Sequence, residues 1–213
     1  MRLKALLLGV VFCVCSFSLF AADGDPAGQV IIVAGPFRIL HANNVSVTPR
    51  RGDTFYSGDT LITGRKGTAQ VRFTDGGVMA LTENSQIKVN EYHYEKNSSS
   101  DKSVATLIKG GFRALTGLIA KEEPSSYKIQ TPVAVIGVRG TNLGAVLARG
   151  KLFTGVWKGN IIVENTKGTI QLGEGNDYNY SEVSPNQAPV GLLHPPAELA
   201  GNCLAEQRQP QQR

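Results

Sequence analysis

Thr131-Pro-Val-Ala-Val-Ile-Gly-Val-Arg-Gly-Thr-Asn-Leu-Gly-Ala-Val146 is the stretch on which the fold turns. Pro132 opens an extended segment where a missing backbone donor is tolerated. Val133 and Val135 then point one way, while Ala134, Ile136 and Val138 point the other. Apolar residues on both sides predict a strand covered on both faces, at the centre of the domain. Gly137 and Gly140 bracket Arg139, marking a bend or a close backbone approach, and Thr141 resumes extended structure. Set between two glycines in an apolar strand, Arg139 is expected to serve the fold. It would satisfy carbonyls freed at the bend or pair with Asp59 or Asp75. The functional alternative is a cation offered to a partner's carboxylate.

The same texture extends in both directions. Gln29–Val33, Thr68–Phe73, Val78–Leu81, Gln86–Tyr92, Leu152–Trp157, Asn160–Val163 and Thr169–Leu172 are short apolar or alternating runs. Gly, Asp and Asn separate them, and Asp75-Gly76-Gly77 reads as a tight hairpin because glycine accepts positive φ. Before Ser184 no stretch keeps a 3.6-residue apolar period over three turns, which predicts an all-β domain. Gly-Thr pairs at Gly67, Gly140 and Gly168 share no fixed spacing, so this is no regular repeat. An irregular β-solenoid-like domain and a β-sandwich both fit. Glu95 to Ser103 is polar and small and predicts a mobile loop. From 184 to 213 the chain turns to Pro, Gln and Ala and predicts a flexible tail, with a short helix as an alternative near Ala197–Gln207.

The N-terminus has a different logic. Arg2 and Lys4 precede an uncharged run from Ala5 to Phe20, and Ala21-Ala22 then offers small residues to a signal peptidase. Residues 1–22 are therefore expected to be a signal peptide, residues 23–183 the β domain, and the protein periplasmic or extracellular, with no membrane span left after cleavage. Losing Arg2 and Lys4 lowers 22 basic residues to 20 against 17 acidic ones, a net charge of +3. That weak charge, the absence of a basic stripe and the expected compartment argue against nucleic acid. Of three cysteines only Cys203 would survive, which excludes an internal disulfide.

No catalytic constellation emerges. His41, His93 and His194 are isolated from one another and from any cysteine or acidic partner at ligand spacing, so no metal site is expected. No phosphate loop, dinucleotide fingerprint or nucleophile elbow is present, so neither cofactor nor enzyme activity is expected. Glu83, Glu91, Glu122 and Glu123 are the carboxylates to weigh for sugar cleavage, and nothing singles out a pair.

Taken with its surroundings, the opening stretch resembles the signature of the FecR domain family of extracytoplasmic β-rich domains. The likeness rests on Thr131, Pro132, Gly137, Arg139, Gly140 and Thr141, and on Gly58-Asp59-Thr60-Leu61-Ile62-Thr63-Gly64. Phe73-Thr74-Asp75-Gly76, Leu81, Ile87–Tyr92 and Lys109-Gly110-Gly111-Phe112-Arg113 extend it over roughly Gly28 to Leu172. Asn142 and Leu143 depart from the Asp and Phe often found in the family. The resemblance implies that these signature residues are structural. It also implies kinship with domains that relay a receptor's state to a sigma factor. With no cytoplasmic region ahead of its export signal, this chain is expected to be a free-standing exported version.

The function expected is thus a non-enzymatic protein-interaction, sensory or scaffold module of the cell envelope, its partner another envelope protein. The alternative is a polysaccharide or cell-wall binding module using Trp157, Tyr178 and Tyr180, with Trp157 expected mainly to fill core. A glycan hydrolase is the third reading.

Overall fold

The computed structural model describes residues 25–96, 98 and 100–202, so the expected signal peptide and Cys203 lie outside the described residues. Along the chain run β1 (Pro26–Ala34), β2 (Phe37–Leu40), β3 (Ser46–Val47), β4 (Thr54–Tyr56) and β5 (Thr60–Thr63). Then come β6 (Thr68–Phe73), β7 (Val78–Leu81), β8 (Gln86–His93) and the long β9 (Lys102–Leu115). A short helix α1 (Ile119–Glu122) precedes β10 (Tyr127–Gln130). The long strands β11 (Val135–Ala148) and β12 (Lys151–Asn165) follow, then β13 (Gly168–Gly173), β14 (Tyr180–Val183), β15 (Val190–Leu192) and α2 (Ala197–Asn202). All fifteen strands belong to one hydrogen-bonded sheet, antiparallel except where β10 runs parallel to β9.

That sheet is doubled over. One limb runs β4-β1-β6-β7, crosses the C-terminal half of β9, then β11, β12, β14 and β15. The other runs β3-β2-β5-β8, crosses the N-terminal half of β9, then β10, β11, β12 and β13. The strands β9, β11 and β12 serve both limbs, and each passes from one to the other at a positive-φ glycine: Gly110, Gly140 and Gly159. The β11–β12 register slips between Arg139 and Asn142, as at a bulge. A Cβ at Gly159 would stand 2.3 Å from the Gly140 carbonyl oxygen, so the bend requires glycine there for space as well as for φ. Antiparallel limbs folded onto each other match the sandwich alternative and not stacked parallel coils.

The core fills the space between the limbs. Phe55 meets Phe73 within the first limb and Phe73 meets Tyr92 from the second, with ring centroids 5.3 Å apart at each contact. Tyr92 Oη accepts hydrogen bonds from the Asp75 amide at 2.9 Å and the Thr74 hydroxyl at 3.1 Å. Burial, and then the charge of Asp75, push the Tyr92 phenol well above its ordinary value. Tyr127 is pushed the same way by the same two causes. Asp75 itself closes the expected hairpin, accepting from the Gly77 amide at 3.0 Å and the Ile119 amide at 3.3 Å.

Three expectations need correction. The N-terminal half of β11 is covered on one face only: Ile136 and Val138 are buried but Val135 is 38% exposed. Its neighbours β10 and β12 carry no third layer above it, and two-sided burial begins only at Leu143. The polar loop is shorter than expected, because the buried Asp101 side chain accepts from the Glu95 amide at 2.8 Å and β9 starts at Lys102. After Ser184 the chain does not leave the fold at once. Val190–Leu192 pairs with β14, and Leu199 of α2 is buried against Val146 and Phe153. A few apolar residues suffice to anchor a Pro- and Gln-rich segment when a matching patch awaits them.

Candidate functional site

Alternation along β11 builds the site. With Ile136 and Val138 inward, Val135, Gly137 and Arg139 face outward on the second limb. The register sets Lys128, Gly137, Ile162 and Gln171 side by side across β10, β11, β12 and β13. Val135 pairs with Glu164, and Arg139 with Asn160. Together they line a groove of about 990 Å³. Val135 and Ile162, 38% and 44% exposed, give it an apolar floor. Nothing approaches a Cβ placed on Gly137 closer than 4.0 Å, so this glycine keeps the floor low without being needed for packing.

Arg139 is the correction of most consequence. It is exposed at the groove rim, and among the described residues no carboxylate pairs with it. Asp59 is occupied by His41 at 3.0 Å and by the Tyr56 amide at 2.9 Å, and Asp75 by the amides named above. The alternation that sends Ile136 and Val138 inward is the signal that could have placed Arg139 outside. Lys128, on the neighbouring strand β10, is also exposed and unpaired among the described residues. Sequence reasoning missed it because nothing in Tyr-Lys-Ile-Gln names a neighbour.

Thr131 and Thr141 are hydrogen-bonded into the fold. The Thr131 hydroxyl donates to the Ala134 carbonyl at 2.7 Å and accepts from its amide at 3.0 Å, fixing the β10–β11 turn at whose tip Pro132 is exposed. Gly140 forms the bend. Thr141 is buried, its amide donating to the Thr116 hydroxyl at 2.8 Å.

The remaining candidates are dispersed. His41 pairs with Asp59, and His93 with Asp25 at 3.2 Å. Among the described residues no group of three or more His, Cys, Asp and Glu is placed to hold a metal ion. Glu83 accepts from the Lys66 amide and Glu91 pairs with Lys102, at separate places in the fold. Trp157 does not fill core: it is 38% exposed on the first limb, against Tyr180, with centroids 6.3 Å apart. Tyr178 is elsewhere, packed over Gly191 and the main core.

Residues 59–162 match the model of the FecR protein family. This part of the chain is a FecR domain. It runs from β5 into β12 and contains the signature, both groove cations and all three bends. FecR proteins are a regulatory, envelope-associated family. No curated protein matches the sequence. Two crystal structures of a proposed anti-sigma factor from Parabacteroides distasonis, at 1.65 and 2.50 Å resolution, are similar to the chain with a TM-score of 0.49 and 14% and 15% identity. Each match covers 64% of this chain and spans 60% of the neighbour's length. A cell surface anchoring domain matches with a TM-score of 0.30 and 23% identity, over 30% of this chain and 86% of that one. Among the described residues no helix is long and apolar enough to cross a membrane.

Proposed function

We propose that this chain is an exported, non-enzymatic FecR-domain module that docks an extended acidic segment of another envelope protein in the groove at Arg139. The observation that carries the reading is Arg139 itself, a signature cation exposed beside an apolar floor with no carboxylate of its own among the described residues. Lys128 supports it from the neighbouring strand β10. Of the two acids in the groove, Glu174 is committed to the Gly159 amide at 3.0 Å. Among the described residues the strand bordering the groove, β13, pairs with β12 alone, so its outer side suits addition of a partner strand. Backbone bonds would give affinity there, and the two cations would set which segment is accepted.

Crosslinking followed by affinity capture from envelope extracts tests this. Wild-type protein is expected to recover a discrete partner, with recovery falling at least about tenfold in Lys128→Glu/Arg139→Glu, as expected for lost charge complementarity. Equal recovery by that variant, or no partner under several growth conditions, would sink the reading.

A further inference from the structure

The outer face of the first limb carries a second surface, remote in topology from the groove. Two neighbouring rows of side chains cross it. One passes through Gln29, Arg72, Val78, Leu115, Asn142 and Lys158. The next passes through Ile32, Gln70, Ala80, Arg113, Gly144, Gly155 and Tyr180. Their sequence neighbours Val71, Met79, Ala114, Leu143 and Val156 are buried, which fixes these rows as the outward set. They hold three cations and no carboxylate.

Arg113 is the organised centre. Its guanidinium lies over the Trp157 ring, 4.1 Å from the centroid, and its Nε donates to Asn142 Oδ1 at 3.2 Å. Gly144 makes the arrangement possible: a Cβ there would come within 3.1 Å of the Trp157 ring. The ring and the amide hold the fork in place, and among the described residues no acid takes its Nη groups. A planar guanidinium with a free edge is matched to a carboxylate by two parallel hydrogen bonds. Trp157 and Tyr180 beside it offer exposed aromatic surface, and Gln70 and Asn142 offer amides for hydroxyls. Arg72 and Lys158 flank this centre across four strand spacings, about 19 Å.

We propose that this face binds a carboxylated polysaccharide, with Arg113 taking a uronate carboxylate and Trp157 and Tyr180 taking the apolar faces of adjacent sugar rings. Two acid-free rows with spaced cations fit a repeating anionic chain, the nearest acid beyond them, Glu182, being paired with Lys151, and aromatic side chains among the cations fit sugar rings.

Affinity electrophoresis of the full-length chain tests the proposal, with polygalacturonate, its fully methyl-esterified form, neutral dextran and a single-stranded oligothymidylate as probes. Retardation by polygalacturonate is expected. It should weaken with salt and fall at least tenfold in Arg113→Ala and in Arg113→Lys, which keeps the charge and loses the fork. Trp157→Phe, retaining an aromatic ring, is expected to bind more weakly than wild type and more strongly than Trp157→Ala. The groove variant Lys128→Glu/Arg139→Glu should bind polygalacturonate as wild type does, so the two readings fail separately. Absent retardation, equal retardation by the esterified form or dextran, stronger retardation by oligothymidylate, or full binding by Arg113→Lys would overturn it.

Discussion

Thr141 Oγ1 is buried without a hydrogen-bond partner among the described residues, although the residue's backbone is fully engaged with Thr116. An unsatisfied buried hydroxyl costs about 1–3 kcal/mol, so the isosteric Thr141→Val is expected to raise stability by about 1 kcal/mol. Urea unfolding measures it, and a lower midpoint at unchanged slope would show that the hydroxyl has a partner in solution. The opposite case is Gly117. A Cβ there would stand 2.3 Å from the Asp75 carboxyl carbon, which is itself held by two amides and cannot withdraw. Gly117→Ala is expected to cost about 3 kcal/mol by overpacking, read by the same titration.

Glycines of the long strands divide by what surrounds them. Gly159→Ala drives a Cβ into the Gly140 carbonyl at φ +78°, and is expected to abolish folding or to cost at least about 3 kcal/mol. Gly137→Ala meets only open groove and should change stability by less than about 1 kcal/mol. Thermal unfolding of the two variants separates the bend from the groove floor. At the other end of the chain, Leu199→Ala should cost about 2–3 kcal/mol, because Leu199 covers Val146 and Phe153. Legibility followed the same physics. Thr68–Phe73 and Val78–Leu81 match β6 and β7 residue for residue, since the first alternates strongly, the second is a short apolar run, and the Asp75-Gly76-Gly77 turn separates them. Leu152–Trp157 and Asn160–Val163 read as two strands but form one, because Gly159 bends β12 without breaking it. Nothing in the sequence singles out β9, since Ser103, Thr106 and Lys109 blur its alternation. Trp157 read as core because its apolar neighbours set the tone of the run; the Gly144 gap that lets it lie outside is visible only once β11 and β12 are paired.

Across the whole molecule the limbs are held together partly by two phenols that burial keeps neutral. Tyr92 and Tyr127 both have their ionisation raised above the ordinary value of 10.0. The folded chain therefore holds these protons after the unfolded chain has released them, and stability must fall as pH rises. Their contribution is complete below pH 10 and is lost progressively above it. Urea midpoints are expected to be unaffected by these two groups from pH 7 to 9 and to drop between pH 10 and 12. The drop should shrink in Tyr92→Phe/Tyr127→Phe, and an equally steep fall in that variant would assign it to other groups. The pairing of aromatic rings across the core also predicts that both limbs unfold in one transition.

The positions where β9, β11 and β12 change limbs all fall inside the segment that matches the family, while β1, β14, β15 and α2 fall outside it. What the matching segment holds is then a crease, with margins on either side of it. A relative could exchange its outermost strands, lengthen a border or add a terminal helix without disturbing the fold line, whereas a side chain at Gly140 or Gly159 would strike at what makes the sheet double back.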